Sequence, residues 1–356
     1  MRILLLGEYS GFFANLKAGL KELGHDVTLL AYADEFKKIP GADGDLYKGK
    51  TSGSVGKLVN KIFKPPFDKR FFANYDVVLW INVGIFLPPI IHKMLKKIKK
   101  HNKKVFLSSC GYDYALYKAY NEGKFEYYMF DEIVETMPRF HHPMWVKYYK
   151  KHGELEDIEK YIDNVIPIAY EYKLGYKKTT DVTLLPISTK EIEFKPIEIK
   201  DKIIFFHGLN RESEKGTKYI VEALEKLKKN YPDEVEVIVK GKMPYQEYVE
   251  LMRKTDVVLD QCKSYWYGIN ALIGLAQGKI VLSGRKDESL KEANISPEEC
   301  PIIEITPNSE QIYKQLEMIV KNKKDLPELS KKGRAYVEKY HDATKVAEQY
   351  IKIFES

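Results

Sequence analysis

The feature that most constrains this chain of 356 residues is the alternation of short apolar runs with helix-length amphipathic segments. In the first half, runs that indicate strands occur at RILLLG, DVTLLAY, DVVLWINV, KVFLSSC and near EIVET, with a later element around NVIPIAYEY. In the second half they occur at KIIFFHG, VEVIVKG, DVVLDQ, KIVLSG and PIIEI. This alternation is typical of βαβ units in parallel sheets covered by helices. The sequence therefore predicts two doubly wound α/β sheets in series.

The stretch DVTLLPISTKEIEFKP separates the two halves and marks a domain boundary. We expect an N-terminal Rossmann-like domain over residues 1–186 and a C-terminal one over residues 187–337. The final apolar positions fit a helix that is broken near His341 and Asp342 and is long enough to return to the first domain. Residues 338–356 are accordingly predicted to complete the N-terminal domain.

Composition excludes several classes of protein. Three widely spaced cysteines, Cys110, Cys262 and Cys300, offer neither a disulfide framework nor paired zinc ligands, which favours a reducing cytoplasm. No uninterrupted apolar stretch approaches the roughly 20 residues of a membrane-spanning helix. The net charge of +7 is modest and no nucleic-acid-binding motif accompanies it, so nucleic acid is not an expected partner.

Positive charge is concentrated in two segments. Segment 48–72 interleaves lysines with phenylalanines around Pro65 and Pro66, a composition that either rests on an anionic membrane surface or forms a solvated basic face. The second segment, KMLKKIKKHNKK, is typical of a solvated helix face. The first segment therefore allows peripheral attachment to the inner face of a membrane.

A phosphate site is indicated where the strand KIIFFHG runs into LNRESEKGT and then a helix. Backbone amides at a helix start are unpaired donors with positive dipole character. Arg211 adds a bidentate guanidinium and Lys215 a movable ammonium, a combination suited to a diphosphate. A basic loop before a helix is also common without any such function.

A second helix start follows the strand DVVLDQ. Gly268 lies at its turn, the helix begins at Ile269 to Ala271, and Gly278 ends it. Ligands of doubly wound sheets bind at the carboxyl ends of the strands, and both helix starts lie there. The two helix starts together would bind a diphosphate. In ordinary βαβ packing, by contrast, Gly268 and Gly278 would only mark the turn and the end of the helix.

The order and spacing of these pieces resembles the GT-B glycosyltransferases of the retaining, group 1 (family 4) kind. The resemblance covers essentially the whole chain and is strongest from Ile203 to Gly284, through FFHGLNRESEKGTKYIVEALEKL and YWYGINALIGLAQGKIVL. It implies that Arg211 and Lys215 stabilise the leaving diphosphate, with Asp113 as an orienting or proton-handling residue that could equally be a turn cap. The implied donor-binding residues are Gly208, Asp260, Gln261, Tyr267, Gly268, Ile269, Asn270, Ala271 and Ile273. The implied acceptor-side residues are Ser10, Gly11 and Gly111.

The sequence departs from the family at two positions. Members usually carry two glutamates, one contacting the transferred sugar and one the nucleotide ribose, and the corresponding residues here are Tyr265 and Ile273. Ile273 cannot accept a hydrogen bond. Either neighbours such as Asp260, Gln261 or Asn270 supply the polar contacts, or the site is degenerate and only binds.

The resemblance implies a glycosyltransferase that moves a sugar from a UDP- or GDP-linked donor to a glycan or lipid-linked glycan, in surface polysaccharide assembly. It also implies retention of stereochemistry, and activity without a cofactor or a bound metal ion. A catalytically degenerate protein that binds nucleotide, glycan or a partner enzyme is the alternative, and a GT-B epimerase is a third.

Overall fold

A computed structural model describes residues 1–31, 41–45, 72–82, 88–111, 114–131, 158–241 and 243–356. Asp113, the strand expected near EIVET and segment 48–72 apart from Phe72 lie outside the described residues. The chain divides into two compact units. The first comprises Met1–Lys124, Met137–Ser188 and Ala343–Ser356, and the second comprises Phe125–Thr136 and Thr189–Asp342.

The first unit is built on a six-stranded parallel sheet. Its strands are β1 (Arg2–Leu6), β2 (Asp26–Ala31), β3 (Gly44–Asp45), β4 (Val77–Trp80), β5 (Lys104–Ser109) and β6 (Asn164–Pro167). They lie in the order β3-β2-β1-β4-β5-β6, and each neighbouring pair is parallel. The central strands are buried, as expected for apolar runs covered on both faces.

Helices cover this sheet. They are α1 (Phe12–Glu22), α2 (Pro88–His101), α3 (Tyr114–Asn121), α4 (Tyr170–Lys173) and, from the end of the chain, α12 (Ala343–Glu355). Helix α1 buries Phe12, Leu16 and Leu20, the apolar face that its sequence spacing predicts. Helix α12 packs on α1 so closely that a Cβ at Gly19 would overlap the carbonyl of Ala343. Glycine at position 19 therefore permits this contact.

The second unit is built on a five-stranded parallel sheet. Its strands are β7 (Ile203–Leu209), β8 (Val235–Gly241), β9 (Val257–Leu259), β10 (Ile280–Ser283) and β11 (Ile303–Glu304). Their order is β11-β10-β9-β7-β8, again with parallel neighbours only. All five are the strands that the sequence predicts in the second half.

Seven α-helices are described in the second unit. They are α5 (Glu212–Lys215), α6 (Thr217–Asn230), α7 (Tyr245–Lys254), α8 (Ile269–Ala276), α9 (Asp287–Glu292), α10 (Ser309–Lys321) and α11 (Leu326–Tyr340). Helix α6 buries Ile220, Leu224 and Leu227 in a core shared with β7, β9 and α10. Because this core fixes the start of α6, it positions the loop that precedes the helix.

Candidate site at the carboxyl ends of the second sheet

The strand order of the second unit places its topological switch point between β7 and β9. From β7 the chain moves outward to β8 and then returns to the other side of β7 to form β9. In open parallel sheets, ligands bind beyond the carboxyl ends of the strands at such a point. The two stretches that carry the predicted donor residues, after Leu209 and after Leu259, begin there.

A buried ion pair joins these two stretches. Lys215 Nζ donates to Asp260 Oδ1 at 2.9 Å, and the two residues are only 8% and 3% exposed. Cys262 N also donates to Lys215 O at 2.9 Å, so backbone and side chain both tie the loops together. Both partners were predicted from sequence as donor-site residues, but their pairing was not. The pair leaves a fixed cation and a fixed anion at the switch point.

His207 braces the same loops from inside the sheet. Its Nδ1 lies 2.9 Å from Leu259 O and its Nε2 lies 2.9 Å from Thr217 Oγ1. Because a carbonyl can only accept, Nδ1 carries the proton and Nε2 accepts from the threonine hydroxyl. Burial lowers the pKa of His207 to about 4, so the ring is neutral near pH 7.

Two helix starts at this edge lack side-chain caps. Helix α6 begins after Gly216 and helix α8 after Gly268, and neither receives a capping hydrogen bond from a side chain. Among the described helices of the same unit, α10 alone receives such a cap, with Asn308 accepting from Gln311 N, so an uncapped start does not by itself mark a site. The first amides of an uncapped helix are free to bind an anion. Both starts therefore offer backbone amides, although Tyr219 N, in the first turn of α6, already donates to Gly216 O at 3.1 Å.

Arg211 is exposed and has a left-handed backbone, with φ 53°. A positive φ is uncommon for a residue with a side chain and accompanies tight turns at functional loops. The turn lies between β7 and the four-residue helix α5 that ends at Lys215. The Arg211 guanidinium is therefore accessible to a ligand at the same carboxyl end of the sheet as Lys215.

The remaining predicted donor residues divide into accessible and internal ones. Gly208 and Gly268 are half-buried and Asn270 is exposed in the first turn of α8, so these three residues border the carboxyl end of the sheet. Ile273 is half-buried and apolar. Ile269 and Ala271 are buried, which leaves their backbone amides as their means of contact.

The loop from Asp260 to Gly268 is held in shape internally. Gln261 Nε2 donates to Trp266 O at 2.9 Å, and Gly284 N donates to Gln261 O at 2.8 Å. The Tyr267 ring is buried, and its hydroxyl bonds to the Tyr336 hydroxyl and lies 3.1 Å from His341 Nε2. The buried Tyr267 side chain therefore supports the loop from within, and the half-buried Gln261 side chain is tied to the same loop through Trp266 O.

The predicted acceptor-side residues lie in the first unit, where the sheet order places the switch point between β1 and β4. Ser10 and Gly11 have positive φ in the loop after β1, and Gly111 follows β5. Gly111 N donates to the Tyr172 hydroxyl at 2.8 Å, and a Cβ on Gly111 would come 3.3 Å from the Tyr9 ring. The structure thus brings Gly111 beside the loop of Ser10 and Gly11.

Sequence reasoning missed Glu8, which lies in that loop and is only 7% exposed. Its Oε2 accepts from Ala14 N at 2.7 Å, whereas Oε1 is buried with no hydrogen-bond partner among the described residues. Burial raises the pKa of Glu8 to about 7, against the lowering effect of amides at the start of α1. No spacing rule marks a carboxylate directly after a strand as buried, so the sequence held no clear signal.

The described residues contain neither a metal cluster nor a membrane-spanning helix. Within the described ranges, no group of three or more His, Cys, Asp and Glu side chains could hold a metal ion. Likewise, no helix in the described part of the chain is both long and apolar enough to span a bilayer.

The two parallel doubly wound sheets are those of the GT-B fold, and comparison with known structures shows this fold over the whole chain. The chain is similar to sucrose-phosphate synthase from Thermosynechococcus elongatus, with 13% identity, a TM-score of 0.64 and coverage of 100% of this chain and 98% of that one. It is similar to HepE from Anabaena in complex with UDP and glucose, with 12% identity, a TM-score of 0.63 and full coverage of both chains. It is also similar to WaaG, a glycosyltransferase involved in lipopolysaccharide biosynthesis, with 12% identity, a TM-score of 0.62 and 99% coverage of each chain. No family model and no curated protein sequence matches the chain.

Proposed function

We propose that this protein is a glycosyltransferase that passes a sugar from a nucleotide diphosphate donor to a glycan or lipid-linked glycan acceptor. The observation that carries the proposal is the Lys215–Asp260 pair at the switch point of the second sheet, beside two uncapped helix starts. Amides and cations in this arrangement suit a diphosphate. The structures of HepE with UDP and glucose and of WaaG, a glycosyltransferase, have the same fold and support the proposal.

Transfer requires the donor diphosphate to leave with its electron pair, so negative charge grows on the phosphate oxygens. Lys215 and Arg211 would stabilise that charge, together with the amides at the starts of α6 and α8. Asp260 holds the Lys215 ammonium in place before the donor arrives. With donor bound, the ammonium would be shared between Asp260 and phosphate.

The finer proposals follow the sequence resemblance. Transfer would retain the configuration of the sugar, with Asp113 handling or orienting the acceptor, and would need no resident cofactor or metal ion. The product would serve surface polysaccharide assembly. The basic and aromatic segment 48–72 would hold the protein on an anionic membrane surface at the cytoplasmic face.

The test is titration calorimetry with UDP, GDP and ADP, without added metal, on the wild type and Lys215→Met. Methionine keeps most of the side-chain volume and removes the charge. We expect at least about tenfold weaker binding, because a charge-assisted hydrogen bond contributes about 1.5 kcal/mol or more. Lys226→Met is the matched control, because Lys226 is an exposed lysine of α6 that pairs with Glu310.

A second variant separates two effects of removing Lys215. Lys215→Met leaves the Asp260 carboxylate buried without its cation, which by itself would repel phosphate and destabilise the fold. The double variant Lys215→Met with Asp260→Asn removes that carboxylate charge. Weak binding that persists in a well-folded double variant would assign the contact to Lys215. Wild-type affinity in the double variant would contradict the proposal that Lys215 binds the diphosphate.

Binding without transfer is the second candidate, and it has its own observation. At the two positions where the family carries glutamates, Tyr265 is buried and Ile273 is apolar. Release of free nucleotide diphosphate from the sugar donor that binds best, measured with and without candidate oligosaccharide acceptors, separates the two candidates. Tight donor binding with no release under any condition would favour the binding protein.

A further inference from the structure

A short aromatic segment from the first half of the chain belongs to the second unit. This segment, residues 125–131, packs on Tyr265, which lies in the loop between Asp260 and Gly268. Glu126 N donates to the Tyr265 hydroxyl at 2.7 Å. The rings of Phe125 and Tyr127 meet the Tyr265 ring edge-on, with centroids 5.6 and 5.4 Å away. Segment 125–131 therefore packs in a defined position against the loop between Asp260 and Gly268, which carries predicted donor residues.

An ion pair fixes the carboxylate of this segment at the same edge. Lys286 Nζ donates to Glu126 Oε2 at 2.8 Å and lies 5.0 Å from the ring centre of Tyr127 and 5.3 Å from that of Tyr265. Lys286 N also donates to Tyr265 O at 3.1 Å, which places the lysine directly beyond β10. Lys286 is mostly buried, whereas the Glu126 side chain is 73% exposed. Lys286 therefore holds the Glu126 carboxylate in a position that is accessible from solvent.

This patch adjoins the Lys215–Asp260 pair along the edge of the sheet. The pair lies beyond β7 and β9, and the patch lies beyond β9 and β10, which is the next strand. Neighbouring strands are about 4.8 Å apart. The pair and the patch therefore lie at the ends of neighbouring strands, where a sugar attached to a phosphate at the pair would meet segment 125–131.

The chemistry of the patch fits a neutral hexose. The half-buried Tyr127 ring is able to pack against the C–H face of a sugar, whereas the Tyr265 ring is buried, and a carboxylate accepts hydrogen bonds from two hydroxyls. The buried Tyr127 hydroxyl has no hydrogen-bond partner among the described residues. Among the described residues, the charged side chains around the patch are Arg285, Lys286, Glu126, Asp287, Glu288 and Glu304, so carboxylates outnumber cations. An acidic sugar would meet an excess of like charge here.

We propose that segment 125–131 forms the sugar subsite of the donor site, with the Glu126 carboxylate accepting from hydroxyls of a neutral hexose that packs on the half-buried Tyr127 ring, while the buried Tyr265 holds the segment in place. This inference rests on the proposed function and assigns the sugar of the donor to segment 125–131. Glu126 would supply the carboxylate that Tyr265 cannot.

The experiment compares a nucleotide with its sugar conjugates. Dissociation constants for UDP, GDP and ADP and for their glucose conjugates, and for UDP-galactose and UDP-glucuronate, are measured by calorimetry on the wild type, Glu126→Ala and Glu126→Gln. For the nucleotide that binds, we expect Glu126→Ala to weaken the neutral sugar conjugate at least about tenfold while the nucleotide alone binds as before. Glu126→Gln should lose less, because an amide oxygen still accepts one hydrogen bond. The control is Glu310→Ala, which removes the exposed pair with Lys226 on the same unit.

Each outcome has one meaning. Equal weakening of nucleotide and sugar conjugate would overturn the subsite and leave only a general effect on the fold. A wild type that binds nucleotide but gains nothing from any neutral sugar, or prefers the glucuronate, would overturn it as well. If no nucleotide binds to a well-folded wild type, the proposed function fails and this inference fails with it. Selective loss of the sugar's contribution in Glu126→Ala would establish the subsite.

Discussion

The buried carboxyl of Glu8 should make the first unit less stable as pH rises. Its pKa is raised from 4.5 to about 7, mainly by burial, so the folded state holds its proton more tightly than the unfolded chain does. The folded protein binds the extra proton between pH 4.5 and 7, so stability is greatest below that range and is lost as pH rises through it.

The size of the effect comes from the shift itself. One pKa unit corresponds to 1.36 kcal/mol, so this group alone costs about 3 kcal/mol at alkaline pH and about 1 kcal/mol at pH 5. Glu8→Gln keeps an oxygen that can accept from Ala14 N and does not titrate. The stability of the variant relative to the wild type should therefore rise by about 2.5 kcal/mol between pH 5 and pH 8.

Urea unfolding of both proteins at the two pH values measures this difference. Glu122→Gln is the control, because Glu122 is an exposed glutamate of the same unit whose pKa is lowered by Lys124. Both pH values lie above its titration range, so its effect on stability should be the same at each. If the relative stability of Glu8→Gln does not change between pH 5 and pH 8, the carboxyl is ionised in the folded protein and the reasoning is refuted.

Two further predictions concern the second unit. The pKa of His207 is lowered to about 4, so the neutral ring stabilises the fold above pH 6.5 and that stability is lost as pH falls toward 4; His207→Gln should flatten this acid transition, and an equally steep transition in the variant would contradict it. Gly216→Ala should cost about 2 kcal/mol or more in thermal unfolding, because its φ is 72° and a Cβ would overlap Cys262 Sγ. Gly123→Ala shares the positive φ, at 73°, but has open space around it, so it should cost only about 1 kcal/mol, and equal losses would show that the contact with Cys262 is unimportant.

The sequence predicted the strands of the second sheet well because they are short runs rich in aliphatic residues, of which β9 and β10 are buried throughout. It did not predict β3, whose two residues carry no periodicity. It identified Lys215 and Asp260 separately, since each follows a recognisable strand, but pairing between side chains 45 positions apart depends on strand order.

Two other features were beyond sequence reasoning for different reasons. Residues 125–131 were assigned to the N-terminal domain by their position in the chain, whereas they pack on Tyr265 in the second unit. Local patterns cannot show such an exchange, because it is decided by contacts with residues more than 130 positions away. Glu8 was missed because burial of a loop carboxylate depends on how the start of α1 folds over it.

The packing of α12 on α1 has a consequence for synthesis on the ribosome. The two helices are separated in the chain by more than 300 residues, including the whole of the 189–342 stretch. A nascent chain can therefore assemble the second unit's sheet while the face of α1 that receives α12 is still bare. During that interval the apolar surface around Phe12 and Gly19 is open to chaperones or to other nascent chains, and it is covered only when Tyr350 and Phe354 emerge.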